Sequence, residues 1–149
     1  MKIYISAHAK QLRELEWSVS DHADVIIEHI LKLICMPNHN ARNHWFGEIA
    51  GQLKRVKRLK SSGKYPSKDL IYEWTYTKSL DDILDLSWIK QECKVLSSDY
   101  NIEITGNPKQ ISDKLDYVCS SYFSWLADVL SKNGIVSNAE IYSKLEELL

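Results

Sequence analysis

Hydrophobic residues recur at steps of three and four along most of this chain, which is the spacing of one face of an α-helix. The clearest run follows Asn107, a residue that favours helix starts, and its apolar positions repeat as far as Val129. Another run begins at Ser18 or Ser20 and ends before Pro37, because proline lacks the N–H that a helix interior requires. The pattern therefore predicts an all-α fold.

Capping residues and turns predict three more helices. A long helix is expected from about Ala41 to Leu59, and another from Ser79 with a break near Ser87. A last helix is expected after Ser137, where Glu140 stands three residues later as in a capping box. The stretch 97–107, between the helix from Ser79 and the helix that follows Asn107, is predicted to be a loop.

The remaining segments are shorter. Lys2 to Ser6 alternates as an extended strand does, and a short helix is expected over Ala7 to Trp17. The segment 70–77 also alternates, but Ser67 before it is typical of a helix start, and we predict a helix there. Since no repeat, low-complexity tract or linker divides the chain, we expect one domain over residues 1–149, a compact bundle of five to seven helices.

Composition narrows the class of protein. The 149 residues are 44% hydrophobic and 26% charged, which argues against wholesale disorder. No apolar run approaches the roughly 20 residues of a membrane span, so no membrane association is expected. Cys35, Cys93 and Cys119 lie far apart in the sequence and fall in apolar helical patterns. This pattern indicates that the cysteines are small core residues rather than parts of a disulfide framework. It therefore predicts a cytoplasmic protein.

Charge is distributed unevenly along the chain. There are 19 Lys and Arg against 20 Asp and Glu, a formal net charge of -1. Seven of the basic residues, and no acidic residue, lie between Gln52 and Lys68. The other 12 basic residues accompany all 20 acids, so the near-zero net charge describes a dipolar molecule.

The helix predicted from Ala41 segregates this charge. At about 100° per residue, Trp45, Ile49, Leu53 and Val56 share one side of it. The opposite side, here named the basic face, consists of His44, Gly47, Gly51, Lys54, Arg55 and Arg58. Glycine inside a helix costs about 1 kcal/mol relative to alanine, so two glycines on one stripe indicate a groove for close approach. The groove predicts binding of an acidic protein surface or nucleic acid; the commoner interpretation is a solvated face whose glycines accommodate a helix of the same chain.

Histidines supply the only indication of catalysis. His44 and Glu48 are one turn apart, and the turn at Pro37 could bring His29 and His39 to them. Such an arrangement would give the less favoured alternative, a divalent transition-metal site of a hydrolase or nuclease. The spacing matches no specific ligand motif, and polar-face or capping histidines are the ordinary interpretation. Nucleophile elbows, phosphate loops and dinucleotide glycine patterns are absent from the sequence. We therefore predict no catalytic residue and no cofactor.

Two segments resemble a known family. They are His29-Ile30-Leu31-Lys32-Leu33, Pro37, Arg42-Asn43-His44-Trp45, Ile49 and Gln52, and then Tyr76-Thr77-Lys78-Ser79-Leu80-Asp81-Asp82-Ile83-Leu84. Together they are similar to the signature of a bacterial, cyanobacteria-rich family catalogued as domain of unknown function twenty-nine. The resemblance covers about residues 27–89, with one extra residue between Pro37 and Trp45 and no counterpart for the helices after Tyr100. It implies a compact all-helical fold and no assigned activity.

The sequence leads to a non-enzymatic helical protein that binds a macromolecule through the basic face. One alternative is the metal-dependent hydrolase or nuclease. Another is a homo-oligomeric scaffold that uses the aromatic-rich segment Tyr72 to Tyr76, because interfaces favour aromatic side chains. An inhibitor or immunity-type protein is a further alternative that no residue selects. The aromatic candidates for contact with a partner are Trp17, Tyr72, Trp74 and Tyr76, for which packing in the core or at its rim is the commoner interpretation.

Overall fold

The computed structural model describes residues 19–61, 85–132 and 136–149, without the side chains at 19–21, 55–61, 130 and 131. These residues form five helices and no strand, which confirms the predicted all-α class for this part of the chain. The helices are α1 (Val19–Cys35), α2 (Arg42–Ser61), α3 (Leu86–Tyr100), α4 (Pro108–Lys132) and α5 (Asn138–Leu148). The predictions for 2–17 and 67–84 lie outside the described residues.

The most extensive helix contact is between α1 and α2. They run antiparallel, since His22 meets Gln52 while Lys32 meets Trp45. α4 packs against α1, α3 and α5, and α5 also contacts α2. The core takes apolar side chains from every helix, because each presents its helical stripe inward. Fully buried members include Ile27, Ile30, Trp45, Ile49, Ile89, Leu115, Tyr122, Ile141 and Leu145. The bundle is thus compact, and one side of α2 is committed to its interior.

Helix ends follow the capping chemistry of the sequence, with one exception. The side chain of Asn107 accepts a hydrogen bond from the Gln110 backbone N–H at 2.8 Å, as its position before Pro108 predicts. The prediction of a loop from Ser97 was wrong, since α3 continues to Tyr100. It ends where Asn101 adopts the left-handed conformation (φ 51°) and its backbone N–H bonds to the carbonyl of Ser97. Asparagine tolerates this conformation better than most residues, and it closes the helix later than polarity alone suggests.

The predicted capping box of α5 is present. Ser137 Oγ accepts from the Glu140 backbone N–H at 3.1 Å, and the Glu140 carboxylate accepts from the Ser137 backbone N–H at 3.2 Å. We expect Ser137→Ala to lower the free energy of unfolding by about 1 kcal/mol, because the Glu140 backbone N–H loses its acceptor. Urea unfolding measures this. Ser143→Ala, at an exposed position inside the same helix, is the control; an equal loss there would contradict the capping explanation.

None of the described helices combines the length and the apolar character that crossing a bilayer requires.

Candidate binding face on α2

The inward side of α2 matches its predicted orientation. Trp45, Ile49 and Leu53 are buried, at most 3% exposed. The side chain of Val56 lies outside the described residues. Two neighbours on this side, Phe46 and Gln52, are buried as well. The inward side is therefore broader than the predicted stripe and includes one amide.

The outward side carries the basic face. The His44 side chain is 72% exposed and Lys54 is also exposed. Nε2 of His44 lies 3.7 Å from an oxygen of Glu48, one turn along the helix. Arg55 and Arg58 continue the same stripe on the α2 backbone, and their side chains are outside the described part. The face thus extends from the exposed His44 over about four helical turns to Arg58.

The two glycines of the basic face have different surroundings. A Cβ at Gly47 would lie 3.5 Å from the Tyr142 hydroxyl of α5, an ordinary contact distance. A Cβ at Gly51 would meet no atom within 4 Å among the described residues. At Gly47 the ordinary interpretation holds, because a helix of the same chain lies beside it. At Gly51 no described residue of the chain occupies this space.

Because no described atom lies within 4 Å of a Cβ at Gly51, a larger residue there can stabilise the protein. We expect Gly51→Ala to raise the free energy of unfolding by about 1 kcal/mol, because alanine restricts the unfolded backbone and contacts nothing in the fold. Thermal and urea unfolding test this. Gly106→Ala is the opposite control, since Gly106 holds a φ of 110° that side chains disfavour. A destabilised Gly51→Ala protein would contradict the open space.

α5 borders the basic face and is fixed to α2 by an ion pair. The Arg42 guanidinium contacts the Glu146 carboxylate, and it lies 4.6 Å from the centre of the Phe46 ring. The hydrogen bond between Arg42 and Glu146 raises the pKa of Arg42 and lowers the pKa of Glu146. Phe46 in turn packs on Tyr142 at 5.5 Å between ring centres. Arg42 therefore anchors α5 and is not part of the exposed charge.

The histidines mostly have structural partners. His29 Nδ1–H donates to the Val25 carbonyl at 2.7 Å, and His39 Nδ1 accepts from the Ala41 backbone N–H at 3.0 Å. The His39 ring also stacks on Trp45 at 5.2 Å. Antiparallel packing brings His29 near His44 and Glu48, whose charges act on it. Yet the described residues hold no group of three or more His, Cys, Asp or Glu side chains placed to bind one metal ion.

The environment of His29 predicts a pH effect. Burial, Lys32 and His44 lower its pKa below the ordinary 6.5, more strongly than the Val25 carbonyl and Glu48 raise it. As pH falls below 6.5 the unfolded chain takes up the proton first, so stability is lost through this window. We expect His29→Gln to lose less thermal stability than the wild type between about pH 7.5 and 5.5. Parallel slopes in scanning calorimetry would contradict this.

Two of the three cysteines lie in the same region of the bundle, which their sequence spacing did not predict. Cys119 is fully buried, as expected of a core residue, but Cys35 and Cys93 are only half-buried. Burial, and then the neighbouring Cys93, raises the pKa of Cys35 to about 12. Cys35 ends α1 and Cys93 lies within α3. Their nearness therefore arises from the packing of the bundle, which no local motif encodes.

Comparison with known proteins does not add a family to these observations. The resemblance of residues 27–89 to domain of unknown function twenty-nine stays a prediction, and the all-helical class that it implies rests on the described helices. No family model, no curated protein and no solved structure matches the chain.

Proposed function

We propose that this protein is a non-enzymatic cytoplasmic binding protein whose basic face on α2 docks an acidic surface of another protein. The observation that carries the proposal is the exposed stripe from His44 to Lys54, between which no described atom lies within 4 Å of a Cβ at Gly51. An open glycine lets the ridge of a partner helix approach the α2 backbone closely. The positive groups around it would steer an acidic partner and favour one register.

The charge of the whole chain favours a protein partner over nucleic acid. Outside the segment 52–68, 12 basic residues accompany 20 acids, so a long polyanion would meet repulsion away from α2. A local acidic patch would not extend that far. Nucleic-acid recognition also commonly uses a fold signature, and the sequence has no zinc finger, aromatic ribonucleoprotein motif or Gly-x-x-Gly clamp. The cytoplasm is the proposed compartment because the number and spacing of the cysteines favour free thiols.

A charge-reversal experiment tests the proposal. The probe is a fluorescent glutamate-rich helical peptide, and its binding is followed by anisotropy over a range of salt concentrations. We expect Lys54→Glu/Arg58→Glu to weaken binding by at least about tenfold at low salt, and the difference to shrink as salt screens the charges. The matched control is Lys90→Glu/Lys94→Glu, which makes the same charge change at two exposed positions of α3.

Three outcomes would overturn the proposal. The first is equal weakening by the two double variants, because the basic face would then have no special role. The second is tighter retention of a short DNA duplex than of the peptide, which would favour nucleic acid as the partner. The third is absence of binding by the wild-type protein at low salt.

A further inference from the structure

A groove with an aromatic wall lies between α4 and α5, here named the α4–α5 groove. Its volume is about 450 Å³, against about 30 Å³ for one water molecule, so it has room for a projecting side chain. The half-buried indole of Trp125 forms its wall on α4. The other lining residues belong to one side of α5: Ala139, Glu140, Ser143, Lys144 and Glu147.

The charged groups of the α4–α5 groove favour a cation. Two carboxylates, of Glu140 and Glu147, stand against the single ammonium of Lys144. That ammonium lies 3.4 Å from the Glu147 carboxylate, and the Lys144 side chain is 24% exposed whereas the Glu147 side chain is 70% exposed. The accessible charge is therefore negative. The face of a tryptophan such as Trp125 also attracts cations.

The α4–α5 groove and the basic face border the same helix. α5 contacts both α2 and α4. Tyr142 of α5 lies beside Gly47 of the basic face, while Lys144 and Glu147 line the groove together with Trp125 of α4. A twofold contact pairs each surface of one copy with the complementary surface of the other. Two copies of this chain can therefore each place their basic face at the groove of the other.

The charge of the whole chain permits this association. The formal net charge is -1, so two copies do not repel each other strongly as whole molecules. The basic segment 52–68 and the acidic remainder instead give each copy a dipole, which attracts the oppositely charged region of a second copy.

We propose that the acidic surface docked by the basic face is the α4–α5 groove of a second copy of this chain, in a twofold dimer. The exposed Lys54 ammonium donates to the Glu147 carboxylate of the other copy and lies near its Trp125 ring. Ala139 and Ser143 are small, so this side of α5 can approach the α2 backbone at Gly51 closely. The inference rests on the proposed function, because it names the partner of the same face.

Sedimentation velocity of the full chain at low salt, over a range of concentrations, tests this. We expect the wild type to approach twice the monomer mass. Lys54→Glu and Glu147→Lys should each raise the dissociation constant at least about tenfold, because each variant places like charges together at both contacts of the dimer. An equimolar mixture of the two variants should associate within about threefold of the wild type, since both contacts then join opposite charges.

The matched controls are Lys90→Glu on α3 and Glu103→Lys in the loop after it, which make the same charge changes at exposed positions outside both surfaces. We expect each to leave the dissociation constant within about twofold of the wild-type value. Circular dichroism confirms that each variant is folded. Equal weakening by the controls would overturn the inference, because net charge alone would then govern association.

Three further outcomes would overturn the dimer. A wild type that stays monomeric at low salt removes the second copy as the partner; if this monomer still binds the glutamate-rich peptide, the proposed function stands, and if it does not, both fail. A mixture of the two folded variants that stays monomeric contradicts the pairing of the basic face with the α4–α5 groove. A mass that grows beyond twice that of the monomer contradicts the twofold arrangement.

Discussion

Trp45→Ala is expected to lower the free energy of unfolding by about 4 kcal/mol, the usual range for a large aromatic side chain removed from a core. Trp45 is 2% exposed and receives contacts from three other parts of the fold. His39 of the α1–α2 turn stacks on it at 5.2 Å, and Tyr100 of α3 meets it edge-on at 5.6 Å. The Lys32 ammonium of α1 lies 6.0 Å from its ring centre. Truncation of Trp45 therefore removes the side-chain contacts by which α2 meets α1 and α3 at this point.

Urea unfolding followed by circular dichroism measures the effect of Trp45→Ala. Tyr117→Ala is the matched control: it truncates an aromatic side chain that is 55% exposed on α4, and we expect a change within about 0.5 kcal/mol. A Trp45→Ala protein that stays within 1 kcal/mol of the wild type would show that the core re-forms around the gap. Trp45→Phe, which keeps a ring to stack on His39, should fall between these extremes.

The position of Trp45 could be predicted from the sequence, whereas its neighbours could not. Trp45 shares a helical stripe with Ile49 and Leu53, and all three are buried as this spacing predicts. His39 and Tyr100 have no such signal. The sequence places His39 in a polar turn, as a metal-ligand candidate, and Tyr100 in a stretch predicted to be a loop. Periodicity reports which side of a helix is buried, but not which side chains of other helices meet it.

Pairs distant in sequence illustrate the same limit. Cys35 and Cys93 are each typical of a small core residue when their own helix is considered alone. That Cys93 acts on the pKa of Cys35 depends on the packing of the whole bundle. Gly47 and Gly51 are equivalent on the helical wheel, yet among the described residues only Gly47 has a neighbour, Tyr142 of α5. The sequence thus predicts the basic face as one uniform stripe. In the structure its part at Gly47 lies beside α5, whereas its part at Gly51 has no described neighbour.

Gln52 was not predicted to be buried, because a polar residue among apolar positions contributes nothing to a hydrophobic period. It is 1% exposed, and its side-chain oxygen accepts a hydrogen bond from His22 Nδ1 at 2.9 Å. His22 is itself 2% exposed on α1. Buried polar groups are stable when they are hydrogen-bonded, so this bond lets two polar side chains join the α1–α2 interface and fixes the register of the two helices.

We expect Gln52→Ala to lower the free energy of unfolding by about 3 kcal/mol, because it leaves a small cavity and removes the acceptor of a buried imidazole donor. Gln91→Ala, the same substitution at an exposed position of α3, should change stability by less than about 0.5 kcal/mol. A double-mutant cycle that adds His22→Leu to Gln52→Leu isolates the hydrogen bond from the packing, and its coupling energy should be about 1 to 2 kcal/mol. Additive effects of the two leucine substitutions, measured by urea unfolding, would mean that packing alone holds Gln52 in the core.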